Sequence, residues 1–112
     1  MANRNRTAGH AYELQIVNEL KEMGYDAVTS RAESRNLDNK GVDIVTDFPF
    51  HIQCKNSANN PDYHKLHESD LLPEDKPFAV FHKKTERKGN VFRKQGEYVI
   101  LKKEDFYRIL GY

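Results

Sequence analysis

The chain has 112 residues, 38% hydrophobic and 31% charged, and a formal net charge of +1. That length holds one core and one domain over residues 1–112, and the apolar content excludes wholesale disorder. No run approaches the roughly 18 apolar residues of a membrane span, the basic start "MANRNRTAGH" has no apolar segment behind it, and the single cysteine, Cys54, excludes an internal disulfide and fits a reducing cytoplasm.

The first element is a helix from about Ala8 to Met23, on which Ile16, Val17, Leu20 and Met23 recur at helical spacing and Gly24 supplies the stop. Glu13 shares that stripe at offsets of three, four and seven from Ile16, Val17 and Leu20. A carboxylate in the middle of an apolar face is desolvated unless something there needs it; the plain alternative is a helix edge from which it reaches water. "DAVTS" (26–30) reads as a short strand, and the polar stretch 31–40 as a loop. Two strands follow, Val42–Asp47 and Phe50–Asn56, about a turn containing Pro49.

In this pair strand alternation sets Asp43 and Val45 on one face, and His51, Gln53 and Lys55 on one face of the partner. A pivot near Phe48-Pro49 places Asp43 opposite residues 53 to 55, so an acid, an amide and an amine meet on one patch of sheet. Asp43 and Glu13 are candidate ligands for Mg²⁺, a hard cation that takes oxygen donors, with the Cys54 carbonyl as a further oxygen. Lys55 is the candidate for orienting a nucleophile or offsetting charge on a phosphate. The plain alternative is an Asp43–Lys55 ion pair at a sheet edge. Cys54 points away by alternation and reads as a small core residue.

Residues 62–71 form the next helix, ended by Pro73, and its His64 and His67 are a poor zinc pair without further ligands. "PFAVFHK" (77–83) and "EYVILK" (97–102) are strands joined by a long basic hairpin turning near Gly89-Asn90, and "KEDFYRIL" (103–110) closes the chain as a helix. Residues 82–96 carry six basic residues (Lys83, Lys84, Arg87, Lys88, Arg93, Lys94) against Glu86. Residues 62–75 carry five acids against Lys65. Such lopsidedness suits a polyanionic partner or a merely solvated hairpin. The order of elements is that of an α/β or α+β sandwich, read here as an α/β fold with a central mixed β-sheet of about five strands flanked by helices.

With "GHAYE" (9–13), "LKEMGYDAVTSRAES" (20–34), "GVDI" and "IQCK" read together, the chain resembles the PD-(D/E)xK nuclease superfamily, and within it the archaeal-type Holliday junction resolvases. The likeness covers residues 6 to 56; the C-terminal half agrees in layout only. The resemblance implies a restriction-endonuclease-like core. It also implies a Mg²⁺-dependent endonuclease, with Mn²⁺ able to substitute, that acts as a homodimer on four-way DNA junctions in recombination or repair. It assigns catalysis to Glu13, Asp43, Gln53 and Lys55, and to a loop serine at Ser34 or the nearby Ser30. DNA contacts are expected at Arg4, Arg6, Arg31 and Arg35 and, on the hairpin, at Lys83, Lys84, Arg87 and Lys88. One position departs: Gln53 stands where the family usually has Glu, which keeps an oxygen donor but removes its charge. Two further readings stand beside the resolvase: another nuclease of the superfamily (nicking, repair or restriction-like), which keeps the chemistry and changes the substrate, and, motivated by Gln53, a DNA-binding module without catalysis. A small structural domain is a fourth. The cytoplasm, or a host's cytoplasm for a viral protein, is the expected location.

Overall fold

A computed structural model describes the backbone of residues 2–69 and 72–112 and, within them, the side chains of all but 2–7, 35, 39 and 69. Helix α1 (Ala2–Glu22) buries Tyr12, Ile16, Val17 and Leu20. It begins earlier than the apolar stripe indicates, because its first turns carry no apolar residue for periodicity to detect. Its end is a Schellman arrangement: Tyr25 N donates to Leu20 O (3.0 Å), Gly24 N donates to Lys21 O (3.0 Å), and Gly24 takes φ +98°.

The sheet has five strands in sequence order, β1 (Ala27–Thr29), β2 (Ile44–Thr46), β3 (His51–Ser57), β4 (Phe78–Lys88) and β5 (Val91–Ile100). β1, β2 and β3 form an antiparallel meander, and β4 lies parallel to β3 after a crossover through helix α4 (Tyr63–Ser69). β5 returns antiparallel from a two-residue turn at Gly89-Asn90, with Gly89 at φ +62°. A left-handed glycine first in a two-residue loop matches the turn to the strand twist. Gln95 is left unpaired in a bulge opposite Lys84/Thr85. Helix α5 (Lys103–Ile109) follows.

α1 packs on one face against β1 and β3, where Ile44, Phe50, Ile52 and Ala79 complete the core. α4 covers the other face through Tyr63, whose hydroxyl donates to Phe78 O (2.8 Å) and whose ring stacks near His67. The molecule is thus a mixed α/β fold with a five-stranded mixed sheet flanked by helices. Among the described residues no helix is long and apolar enough to cross a membrane.

The stretch 31–40 differs from the expected loop. It contains α2 (Ser30–Glu33) and α3 (Arg35–Asn39), the second capped by Ser34, whose Oγ accepts from Leu37 N (3.3 Å). Such single turns carry no apolar period, and only the second has a side-chain cap. β2 is also shorter than Val42–Asp47, because Asp43 turns its carbonyl away from β3 to accept from Ser30 N (2.8 Å).

Candidate functional site

The departure of β2 from β3 creates the site. Only Ile44 and Ile52 face each other as a regular pair, and Asp43 still donates its own N–H to Ile52 O (2.8 Å). Beyond that point the ladder lacks a backbone acceptor for Cys54 N, and the Asp43 carboxylate supplies it through Oδ2 at 2.7 Å. Asp43 therefore brackets Gln53, as strand alternation about the turn requires. Gln53 itself is buried, and its Oε1 has no hydrogen-bond partner among the described residues. An orphaned buried carbonyl oxygen costs about 1–3 kcal/mol.

Burial pushes the Asp43 carboxyl up from 3.8 to about 7. The Cys54 N–H opposes that rise, the charges of Glu13 and Asp38 add to it, and the more weakly felt charge of Lys55 opposes it. Three carboxylates thus share a partly dry region. The Cys54 thiol is raised by its own burial and by the charges of Asp43, Glu13 and Glu19, which makes it inert and agrees with its place against the core.

Glu13 sits on α1 as its stripe position requires, with a side chain only 12% exposed. It does not reach water freely: Arg31, from α2, grips Oε1 with Nε (3.2 Å) and Nη2 (3.1 Å), while Arg31 Nη1 meets His10 Nδ1 at 3.1 Å. Lys55 opens onto a cleft of about 260 Å³ shared with Asn59, Asn60 and Asp62. Of the two candidate serines, Ser34 is occupied as a helix cap. Ser30 is fully buried, bonds the Asp43 carbonyl through its N–H, and directs its Oγ to Asp38 Oδ1 (3.3 Å).

Asp43 thus bonds the Cys54 amide beside Gln53 and feels the charges of Glu13, Asp38 and Lys55, while Arg31 holds Glu13. Arg31 is a candidate for a DNA surface, and its grip on Glu13 has no counterpart in any spacing along the chain. Asp38 escapes sequence reading as well, since nothing in a polar turn marks which acid faces inward. Among the described residues no three His, Cys, Asp and Glu side chains are gathered closely enough to hold a metal ion. The oxygens at hand are those of Asp43 and the Gln53 amide, with Glu13 held by Arg31.

The hairpin cations divide between two faces. Lys83 lines a cleft of about 570 Å³ with Ala8, Asn56, Thr85, Phe92 and Lys94, between the start of α1 and the hairpin. Lys84, on the opposite face, donates to Asn60 Oδ1 (2.9 Å). Arg87 donates to Gly89 O (2.9 Å) and lies 5.9 Å from the Phe92 ring centre, and Lys88 is exposed beside the turn. The side chains of Arg4, Arg6 and Arg35 lie outside the described residues. Compared with models of known protein families, with curated proteins and with solved structures, the chain matches none.

Proposed function

We propose that the protein is a divalent-metal-dependent DNA endonuclease of the PD-(D/E)xK type, acting as a dimer on branched DNA and most specifically on four-way junctions. The observation that carries this reading is the pairing of a buried, destabilised carboxyl at Asp43 with the unpartnered amide oxygen of Gln53. A hard cation would relieve both, since it favours ionised Asp43 and satisfies the orphan oxygen. The donor set therefore fits Mg²⁺, with Asp43 and Gln53 holding it, the Cys54 carbonyl as a further oxygen, and Glu13 joining once Arg31 lets go. A cation there supplies Lewis-acid activation of water and neutralises charge gathering on a phosphate. Lys55 brings its ammonium to the same phosphate or its attacking water.

The connectivity supports the reading as well. One helix, a three-stranded meander, a crossover helix and a parallel fourth strand form the layout expected of a restriction-endonuclease-like core, with the acid at the splay of the second and third strands. Two clefts bordered by lysines, at Lys55 and at Lys83, give a phosphate backbone somewhere to lie. The reading carries with it a cytoplasmic or host-cytoplasmic location.

A second reading, a DNA-binding module without catalysis, draws on the Arg31 grip on Glu13 and on the neutral side chain at position 53. The two separate in one experiment. Labelled four-way junction and matched linear duplex are incubated with Mg²⁺ or Mn²⁺, with Asp43→Asn protein alongside. The nuclease reading expects cuts in the junction that vanish in the variant. Cuts in duplex and junction alike would move the substrate to another nuclease of the superfamily. Junction binding without cutting, equal in both proteins, would leave the binding module.

A further inference from the structure

Strand alternation gives the outer hairpin two unlike faces. On the face towards α1, Phe92 and Lys94 of β5 stand opposite Arg87 and Thr85 of β4, and Lys83 lies two residues before Thr85. Among the described residues neither Lys83 nor Arg87 meets a carboxylate, whereas Lys94 is paired with Glu97. A single exposed phenylalanine is ordinary. This one, 48% exposed, lines a cleft of about 570 Å³ together with Lys83, Thr85, Lys94 and Asn56. Such a volume lies within the roughly 300–1,000 Å³ of pockets that take small ligands. Arg87 steadies the ring from beside it, with its guanidinium 5.9 Å from the ring centre and its Nε donating to Gly89 O (2.9 Å). Asn56 adds an amide to the wall. Its Nδ2 donates to Ala8 O (3.4 Å), and an amide oxygen accepts from a ring N–H.

The course of β3 joins this cleft to the site. Cys54, whose N–H bonds the Asp43 carboxylate, and Asn56 both face α1, two residues and about 6.6 Å apart along the strand. Ser57 borders both this cleft and the one at Lys55. The interval is about two base steps of a DNA strand at 3.4 Å each. A strand with a phosphate at the site therefore has a neighbouring nucleotide over the cleft. A base stacked in a duplex has no ring face to offer Phe92; an unpaired one has. An aromatic side chain set among cations is the arrangement that holds single strands, with bases on the ring and phosphates on the lysines. An acidic peptide would be served by the cations alone. The flat ring and the amide beside it call for a planar ligand with a hydrogen-bonding edge.

We infer that the cleft between the start of α1 and the hairpin is a pocket for one unpaired nucleobase, stacked on Phe92 with its edge at Asn56 and a phosphate at Lys83. This rests on the DNA part of the proposed function and adds the class of substrate: branched DNA with an unpaired nucleotide at the branch, in preference to a fully paired one.

The test uses the whole chain without divalent metal, so that no strand is cut. Branched DNA with one unpaired nucleotide at the branch is made with thymine, 5-iodouracil or an abasic sugar at that position. In fluorescence anisotropy the wild type should bind the thymine form about tenfold more tightly than the abasic form. Irradiation of the 5-iodouracil form should crosslink the protein, and mass spectrometry should place the bond at Phe92. Phe92→Leu keeps an apolar side chain at a half-exposed position and should bind both forms alike, whereas Phe92→Trp should restore the preference. Equal binding of the two forms by the wild type, or a crosslink that maps elsewhere, overturns the pocket, and neither result depends on a variant that folds. A preference that survives in Phe92→Leu overturns it as well. Absence of all DNA binding removes the DNA reading and the pocket together. A base preference in a protein that cuts nothing removes the nuclease and leaves the pocket standing.

Discussion

At Asp43 the fold and the proposed chemistry oppose each other. The folded protein keeps this carboxyl protonated up to about pH 7, whereas an exposed carboxyl releases its proton near 3.8. The folded state therefore holds the extra proton between those values, and stability contributed by the group is complete below about pH 4 and lost as the pH rises through 7. The gap corresponds to at most about 4 kcal/mol. Asp43→Asn keeps an oxygen to accept from Cys54 N and removes the charge. It should therefore raise metal-free stability at pH 8 by on the order of 2 kcal/mol and change little at pH 4. Urea unfolding at the two pH values measures this; equal effects at both would mean that the carboxyl titrates normally. Mg²⁺ should stabilise the wild type and leave the variant unmoved, because binding to the native state alone is what raises stability. At this scale the sequence is readable wherever strand alternation applies. The convergence of Asp43 and Gln53 follows from period two and a turn at Pro49. The Arg31–Glu13 pair does not, since a one-turn helix carries no periodicity from which the direction of its side chains can be read.

The hairpin of β4 and β5 is the longest element pair and carries the densest positive charge. Alternation puts Lys83, Arg87 and, through its pairing with Thr85, Lys94 on the face that shares a cleft with α1, and Lys84, Lys88 and Arg93 on the other. The first face should lie along DNA. Replacing Lys83 and Arg87 by Ala is expected to reduce the slope of log binding constant against log salt by about 0.9 for each phosphate no longer neutralised, and Lys94, already paired with Glu97, should add little. The Lys84, Lys88 and Arg93 triple should leave the slope near its starting value, since Lys84 is spent on Asn60 and Arg93 faces Glu86. Fluorescence anisotropy in a salt series decides it, and equal slopes would mean a hairpin that only solvates itself. Some features are legible: the stripe on α1, its glycine stop and the Gly89-Asn90 turn all leave local marks. The extension of both strands to that turn, with the bulge at Gln95, is not, because those residues are polar and their pairing comes from the register of the opposite strand.

At the scale of the molecule, the meander and the crossover place the site at the β2–β3 splay, so the dimer proposed for this chain would carry two such sites. With the wild type, both strands of a junction should be cut within one binding event. Protein diluted until it sediments as a monomer should instead leave single, uncorrelated nicks, because every group at Asp43 is intact. A supercoiled cruciform plasmid reports the difference: linear product appears directly in the first case and only after accumulation of nicked circles in the second. Linear product formed directly by the dilute monomer would contradict this account of coupling.

The bond from Cys54 N to the Asp43 carboxylate also makes the sheet its own detector. The chain has one cysteine, so protein grown with ¹⁵N-cysteine gives a single amide resonance, and that proton points at the acid. An ionised acceptor draws a hydrogen-bonded proton further than a neutral one does. The position of this one peak should therefore follow the charge on Asp43 as pH, cation or DNA changes it, reading the state of the site without a probe being placed there.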